Sequence, residues 1–176
     1  MSGLPSSGGR LATVAGAVLL GGQSSRMGRD KAHLEWQGET LVSRQATLMS
    51  ALFEEVILVG GDPPAGVPGR RVADPVGEAS ALRGIVAALE AAEAPWVAVM
   101  ATDLPALTAD MVLALVGLTG MEVDAAVPRT RGPEPLCAVY RRETVLPAAR
   151  RRWERGEFAL KHLLGDLDVV WLEGED

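Results

Sequence analysis

Three apolar runs in this 176-residue chain show no alternation of apolar and polar residues. They are "TVAGAVLL" (13–20), the centre of "EEVILVGG" (54–61) and the start of "WVAVMATDLP" (96–105). A strand with one wet face alternates, so runs of this kind belong to strands covered on both faces. Such strands mark a largely parallel sheet, whose crossover connections lay helices over it. The segments between the runs have helical spacing. "TLVSRQATLMSAL" (40–52) carries apolar residues at Leu41, Val42, Leu48, Met49 and Leu52. "ALRGIVAALEAA" (81–92) follows Ser80, and "TADMVLALVGL" (108–118) opens on Thr108, both suited to cap a first helical turn. "RVADP" (71–75), "DAAVPR" (124–129), "PLCAVYRR" (135–142) and "DVVWLE" (168–173) read as further strands. "TVLPAARRRWERG" (144–156) and "FALKHLLGDL" (158–167) read as helical pieces. The expectation is an α/β fold: a single three-layer domain with a mostly parallel sheet.

Composition removes several classes of function. A net charge of −6 argues against a broad nucleic-acid binder. No apolar run reaches the roughly 18 residues of a membrane helix. One cysteine, Cys137, forbids an internal disulfide and a Cys-rich zinc site, and in "EPLCAVY" it reads as a small buried hydrophobe. The two histidines, His33 and His162, stand in no metal-ligand spacing. The run Leu11–Leu20 behind Arg10 has the look of a signal-peptide core. The segment before it is nearly neutral and rich in Gly, Ser and Pro, and Thr13, Val14 and Val18 are β-branched, so a short buried strand is the preferred reading. Residues 1–12 are expected as a flexible leader and 13–176 as the domain.

The loop after the first strand, "GGQSSRMGRDK" (21–31), has the composition of a phosphate cradle. Gly21 and Gly22 let backbone N–H groups approach an anion, Ser24 and Ser25 add hydroxyls, Gly28 permits a bend, and Arg26 and Lys31 supply charge. Lys31 is one of only two lysines, with Lys161. The loop is neither a G-x-x-x-x-G-K-[ST] nor a G-x-G-x-x-G motif. In "VMATDLP", Asp103 ends an apolar strand, where a carboxylate is costly unless paired or cation-bound; Mg²⁺ favours one or two carboxylates with substrate phosphates. A turn or cap role before Pro105 is the alternative. Asp74, ending "RVADP", could accept hydrogen bonds from a base or ribose, or be a turn residue. Ligands of open α/β sheets sit beyond the carboxyl ends of the strands, where Gly21, Gly22, Asp74 and Asp103 all fall.

"LLGGQSSRMGRDKAHLEWQGETL" resembles the signature of the nucleotidyltransferase group that includes the molybdenum cofactor guanylyltransferases (MobA-type). The family pattern is L-A-G-G, a few residues, R-M-G, then D-K-A and L. Leu19, Gly21, Gly22, Arg26, Met27, Gly28, Asp30, Lys31, Ala32 and Leu34 fit it, with Leu20 in place of the alanine. "TDLP" resembles the family's C-D-x-P, with Asp103 at the metal position and Thr102 replacing the cysteine. "EPLCAVYRR" and "GEFALKHLL" resemble later segments. Three departures stand out. Ser80-Ala81-Leu82-Arg83-Gly84 replaces G-P-L-A-G, Val59-Gly60-Gly61 lies where some members carry an asparagine, and an asparagine-free chain lacks N-x-N-T-P.

The resemblance implies a Rossmann-like, cytoplasmic, Mg²⁺-dependent guanylyltransferase joining GTP to Mo-molybdopterin, with molybdopterin guanine dinucleotide and pyrophosphate as products. Molybdoenzyme apoproteins or other cofactor-biosynthesis proteins would be further partners; nucleic acid and membrane would not. Lys31, Arg26 and Asp103 would be catalytic, with Asp103 the metal ligand. Leu19, Leu20, Gly21, Gly22, Lys31, Asp74 and Asp103 would bind the nucleotide. The rim near Arg129, Arg131 and Glu134 is the candidate pterin side, and Arg150–Gly156 reads as a solvated helix face. Two alternatives remain: a related enzyme using CTP or another phosphate acceptor, and a non-catalytic nucleotide-binding module that delivers the cofactor.

Overall fold

The computed structural model describes residues 9–21, 35–36, 38–73, 80–120 and 122–174. Seven strands form one sheet in the order β5-β4-β1-β6-β8-β7-β9. They are β1 (Val14–Leu19), β4 (Val56–Val59), β5 (Arg70–Val72), β6 (Trp96–Ala101), β7 (Ala125–Arg129), β8 (Cys137–Arg141) and β9 (Val169–Glu173). Only β8 runs against its neighbours β6 and β7; the pairs β1–β4, β1–β6, β4–β5 and β7–β9 are parallel. The mostly parallel α/β sheet is therefore as the apolar runs require. A two-stranded ladder of β2 (Glu35–Trp36) and β3 (Glu39–Thr40) stands apart. Two residues per strand leave no readable period, and the sequence pattern did not disclose it.

The helices are α1 (Leu41–Leu52), α2 (Ala81–Ala91), α3 (Ala109–Gly117), α4 (Arg142–Glu154) and α5 (Leu160–Gly165). The first three start on side-chain caps. Thr40 Oγ1 accepts from Ser43 N at 3.2 Å, Ser80 Oγ from Arg83 N at 3.2 Å, and Thr108 Oγ1 from Met111 N at 3.3 Å. Each cap satisfies one of the donors a first turn leaves over. No helix among the described residues is long and apolar enough to cross a membrane.

Every residue of β1 is buried. Ala15, Ala17 and Leu19 join the core under α2, α4 and α5, while Val14, Val18 and Leu20 join the core under α1 and α3. Gly16 faces the second layer, where α1 lies very close. A Cβ built on Gly16 would sit 2.9 Å from Phe53 Cδ2 and 3.0 Å from Met49 Cβ.

At the amino ends of the strands, polar side chains hold the chain together. Glu55 accepts from the backbone N–H groups of Glu93 (3.0 Å) and Ala94 (3.3 Å) and from Arg70 Nη2 (3.1 Å). Arg70 Nη2 also donates to Ala91 O at 2.7 Å, tying β5 to the end of α2. Leu11 donates to Leu52 O at 2.8 Å and accepts from Glu54 N at 3.0 Å, so the backbone before β1 is fastened to the end of α1.

The close approach at Gly16 yields a stability prediction. Gly16→Ala should destabilise by about 1–3 kcal/mol, the usual cost of overpacking. For a domain of this size that lowers Tm by roughly 2–12 °C, read by differential scanning calorimetry. An unchanged Tm would mean that α1 is not seated on β1 as described.

Candidate active site

The strand ends define one rim. Leu19 pairs with Val59 on one side and Ala101 on the other, and Val59 pairs with Val72, so β1, β4, β5 and β6 finish level. The chain leaves β1 toward β4 and β5, then crosses back to place β6 on β1's other side. The gap between β1 and β6 is thus a topological switch point, where open α/β sheets bind ligands. The residues that follow these two strands, Leu20-Gly21 and Thr102-Asp103, are brought side by side.

Leu19 and Leu20 are 8% and 1% exposed. Their side chains belong to the two cores, which leaves the backbone to meet a ligand. Gly21 is exposed with φ +95°, a conformation that carries no steric cost for glycine, and nothing lies within 4 Å of where its Cβ would be. The turn after β4 has the opposite character. Gly61 has φ +56°, and a Cβ there would come within 2.9 Å of Leu20 Cβ. Leu20 fills the space beside Gly61, so the wall at the end of β4 is backbone. Leu20 N donates to Val59 O at 3.0 Å and Gly60 N to Val72 O at 2.8 Å, extending the sheet's ladder to this rim.

Asp103 is exposed just beyond β6, and Thr102 before it is buried. Among the described residues no three His, Cys, Asp or Glu side chains gather as a metal cage. An exposed rim carboxylate nonetheless suits Mg²⁺, which keeps waters and takes substrate phosphates as its other ligands. Gly22, Arg26, Lys31 and Asp74 lie outside the described residues, as do Ser24, Ser25, Gly28 and His33.

Three polar or charged side chains are buried among the described residues: Gln45, Arg83 and Thr102. All belong to this end of the sheet. Arg83 occupies the first turn of α2, whose Gly84 packs on Leu19 with a would-be Cβ 3.3 Å from Leu19 Cδ1. Gln45 Nε2 donates to Leu104 O at 2.7 Å, tying α1 to the turn after Asp103. Sequence reading missed Gln45, although a signal existed: it lies four residues after Leu41 and three after Val42, on the apolar stripe of α1.

On the candidate pterin side, Arg129 is already engaged. It pairs with Glu173 through Nε (3.2 Å) and Nη2, and its guanidinium lies 4.8 Å from the centroid of the Trp171 ring. The Glu173 carboxylate raises its pKa further. Arg131 and Glu134 are exposed nearby. In the run 150–156, Arg150 pairs with Glu90, and Arg152 with Glu157 and Asp166, as a salt-bridged helix face does. A cleft of about 740 Å³ opens at the opposite end, lined by Glu54, Glu55, Arg70 and Glu93 among others. There Glu55 and Arg70 are committed to each other and to backbone, so that cleft is held by structural bonds.

The sequence profile of the MobA-like NTP transferase domain matches residues 16–169. The chain belongs to the MobA-like NTP transferase family. Among its relatives is a protein of Opitutus terrae named probable molybdenum cofactor guanylyltransferase, 38% identical over 160 residues, covering 88% of this chain and 79% of the relative. A crystal structure from Aquifex aeolicus VF5 superposes with a TM-score of 0.75 at 28% identity, covering 94% of this chain and 87% of the other. Molybdopterin-guanine dinucleotide biosynthesis protein A of Archaeoglobus fulgidus shares the fold, with a TM-score of 0.75 at 24% identity over 90% of this chain and 83% of its own. The family therefore accords with the Rossmann-like nucleotidyltransferase fold, and with catalysis of nucleotidyl transfer in general.

Cys137, opposite Met100 at the start of β8, stays a structural thiol. Burial first, and the nearby Glu134 carboxylate second, push its pKa up to about 11. The ordinary thiol titrates near 8.5. The neutral form is favoured in the folded protein, so the thiol's contribution to stability is intact below about pH 8.5. It fades as pH rises toward 11. Native protein at pH 8 should react with a disulfide reagent at least ~100-fold more slowly than denatured protein. Comparable rates would show the thiol to be exposed and reactive.

Proposed function

We propose that this protein is a molybdenum cofactor guanylyltransferase, moving GMP from GTP to Mo-molybdopterin with release of pyrophosphate. The observation that carries the reading is the switch-point rim, where a glycine turn after β1 and the Asp103 carboxylate after β6 stand on adjacent, level strands. Membership in the MobA-like family supports it, as does the name carried by the Opitutus terrae relative.

A terminal phosphate oxygen of the pterin attacks the α-phosphorus of GTP in line. The new P–O bond forms as the bond from the α-phosphorus to the bridging oxygen breaks, and pyrophosphate carries away the electron pair. A phosphate nucleophile is already ionised at neutral pH, so no strong general base is needed. The reaction calls instead for positioning and for neutralised charge. Gly21 and Gly22 hold the phosphates by backbone N–H groups. Arg26 and Lys31 stabilise the charge that gathers on departing pyrophosphate. Asp74 and the Leu19-Leu20 backbone serve the base or ribose side. Asp103 would hold Mg²⁺, which when bound neutralises charge on the phosphate oxygens.

Pyrophosphate release with molybdopterin and each of GTP, CTP, ATP and UTP tests the reading. Turnover with GTP and a GTP-dependent rise in Tm are expected, since a ligand of the native state stabilises by mass action. A preference for CTP would replace the guanylyl assignment by the cytidylyl one. GTP binding without pyrophosphate release would favour a delivery module. Lys31→Ala should lose turnover by about 100-fold or more while Tm holds. Wild-type guanylyl transfer by that variant would remove Lys31 from the site. Arg26→Lys should also be impaired, because an ammonium cannot reproduce the guanidinium fork.

A further inference from the structure

Gln45 is a polar side chain on the apolar face of α1. It is 1% exposed, and Leu41, Val42, Ala46 and Met49 around it on the same helix are buried too. Its Nε2 donates to Leu104 O at 2.7 Å, across 59 residues of sequence. Its Oε1 is buried with no hydrogen-bond partner among the described residues. An amide buried with its oxygen unpaired opposes folding, and an apolar side chain of similar volume would be favoured there. Nor is Gln45 required to satisfy the Leu104 carbonyl, because Leu107 N also donates to it, at 3.1 Å. What the Gln45 bond adds is a direction for the turn.

That turn carries Asp103. On its strand side, Ala101 is fixed by pairing with Leu19 and by its N–H bond to Leu136 O at 2.8 Å. On its far side, the Leu104 carbonyl is held from α1 by Gln45 and within the turn by Leu107 N. Asp103 lies between these two anchors in the chain, with Thr102 buried beside it. Loss of the Gln45 bond unties this turn from α1 and shifts the backbone that carries Asp103.

We propose that Gln45 is a positioning residue: by holding the Leu104 carbonyl from α1, it sets the direction in which the Asp103 carboxylate meets a phosphate-bound divalent cation. The inference rests on the reading of Asp103 as the cation's ligand. Outer residues that orient a ligand typically govern metal affinity by about 10–100-fold.

The test uses the full chain with Gln45→Met, which keeps the side-chain length and loses the donor, and Gln45→Leu as a second apolar variant. Mn²⁺ affinity is measured by electron paramagnetic resonance with GTP present, GTP affinity is measured in EDTA, and Tm is followed calorimetrically. Gln45→Met should bind Mn²⁺ about 10–100-fold more weakly. It should keep metal-free GTP affinity and melt at or above the wild-type temperature. Wild-type Mn²⁺ affinity overturns the proposal. So does a fall in Tm accompanied by loss of metal-free GTP affinity in both variants, which would mark a purely structural residue. Asp103→Asn separates the two levels of the reading. If that variant keeps wild-type Mn²⁺ affinity, Asp103 is not the ligand and both readings fall; if it loses affinity while Gln45→Met does not, only the positioning role fails.

Discussion

Burial of β1 on both faces is the constraint from which the rest of the structure follows. A strand with all six residues out of water needs a helical layer above and below it. Parallel neighbours supply those layers, because each return to the sheet must cross over one face. Gly16 is where the constraint is tightest. The absence of a side chain there lets α1 close onto the strand through Met49 and Phe53. The same pairing that buries β1 aligns its carboxyl end with those of β4 and β6. The rim is therefore a consequence of core packing, although Gly21 and Asp103 on it face solvent.

The two ends of the sheet use polar groups differently. At the amino end, Glu55 and Arg70 spend their hydrogen bonds on backbone and on each other, closing the junction of β4, β5 and the end of α2. At the carboxyl end the polar or charged side chains buried among the described residues are Gln45, Arg83 and Thr102. The Gln45 amide oxygen has no hydrogen-bond partner among the described residues. That is an unfavourable arrangement for stability, and it lies next to the turn that carries Asp103. A locally costly group beside a site is where folding and function make different demands.

The parts of the fold legible in the sequence were those with a long period or a distinct boundary. The strands β1, β4 and β6 appear as unbroken apolar runs, and Ser80 and Thr108 mark helix starts because few residue types can cap one. The β2–β3 ladder was not legible, because strands of two residues have no period. The direction of β8 was not legible either: an apolar strand pattern is the same read up or down, and only the pairing of Met100 with Cys137 and Trp96 with Arg141 makes β8 antiparallel. Of the expected site, Gly21 and Asp103 are placed on neighbouring strand ends, whereas Gly22, Arg26, Lys31 and Asp74 lie beyond the described residues. Leu20 shows a limit of motif reading. Its replacement of an alanine points to the pocket in sequence, yet its side chain turns into the core and fills the space beside Gly61.

By itself, then, the sequence determined the layered α/β class and the chemical character of the loop after β1. Both are local properties, set by apolar runs and by which side chains can approach a phosphate. Only the tertiary structure decided that β6 lies beside β1, which brings Asp103 to the glycine turn from more than eighty residues away in the chain. It alone decided that Gln45 reaches the turn after Asp103. Contacts of this kind depend on how separate layers pack, and no local pattern of residues encodes the partner that packing will bring.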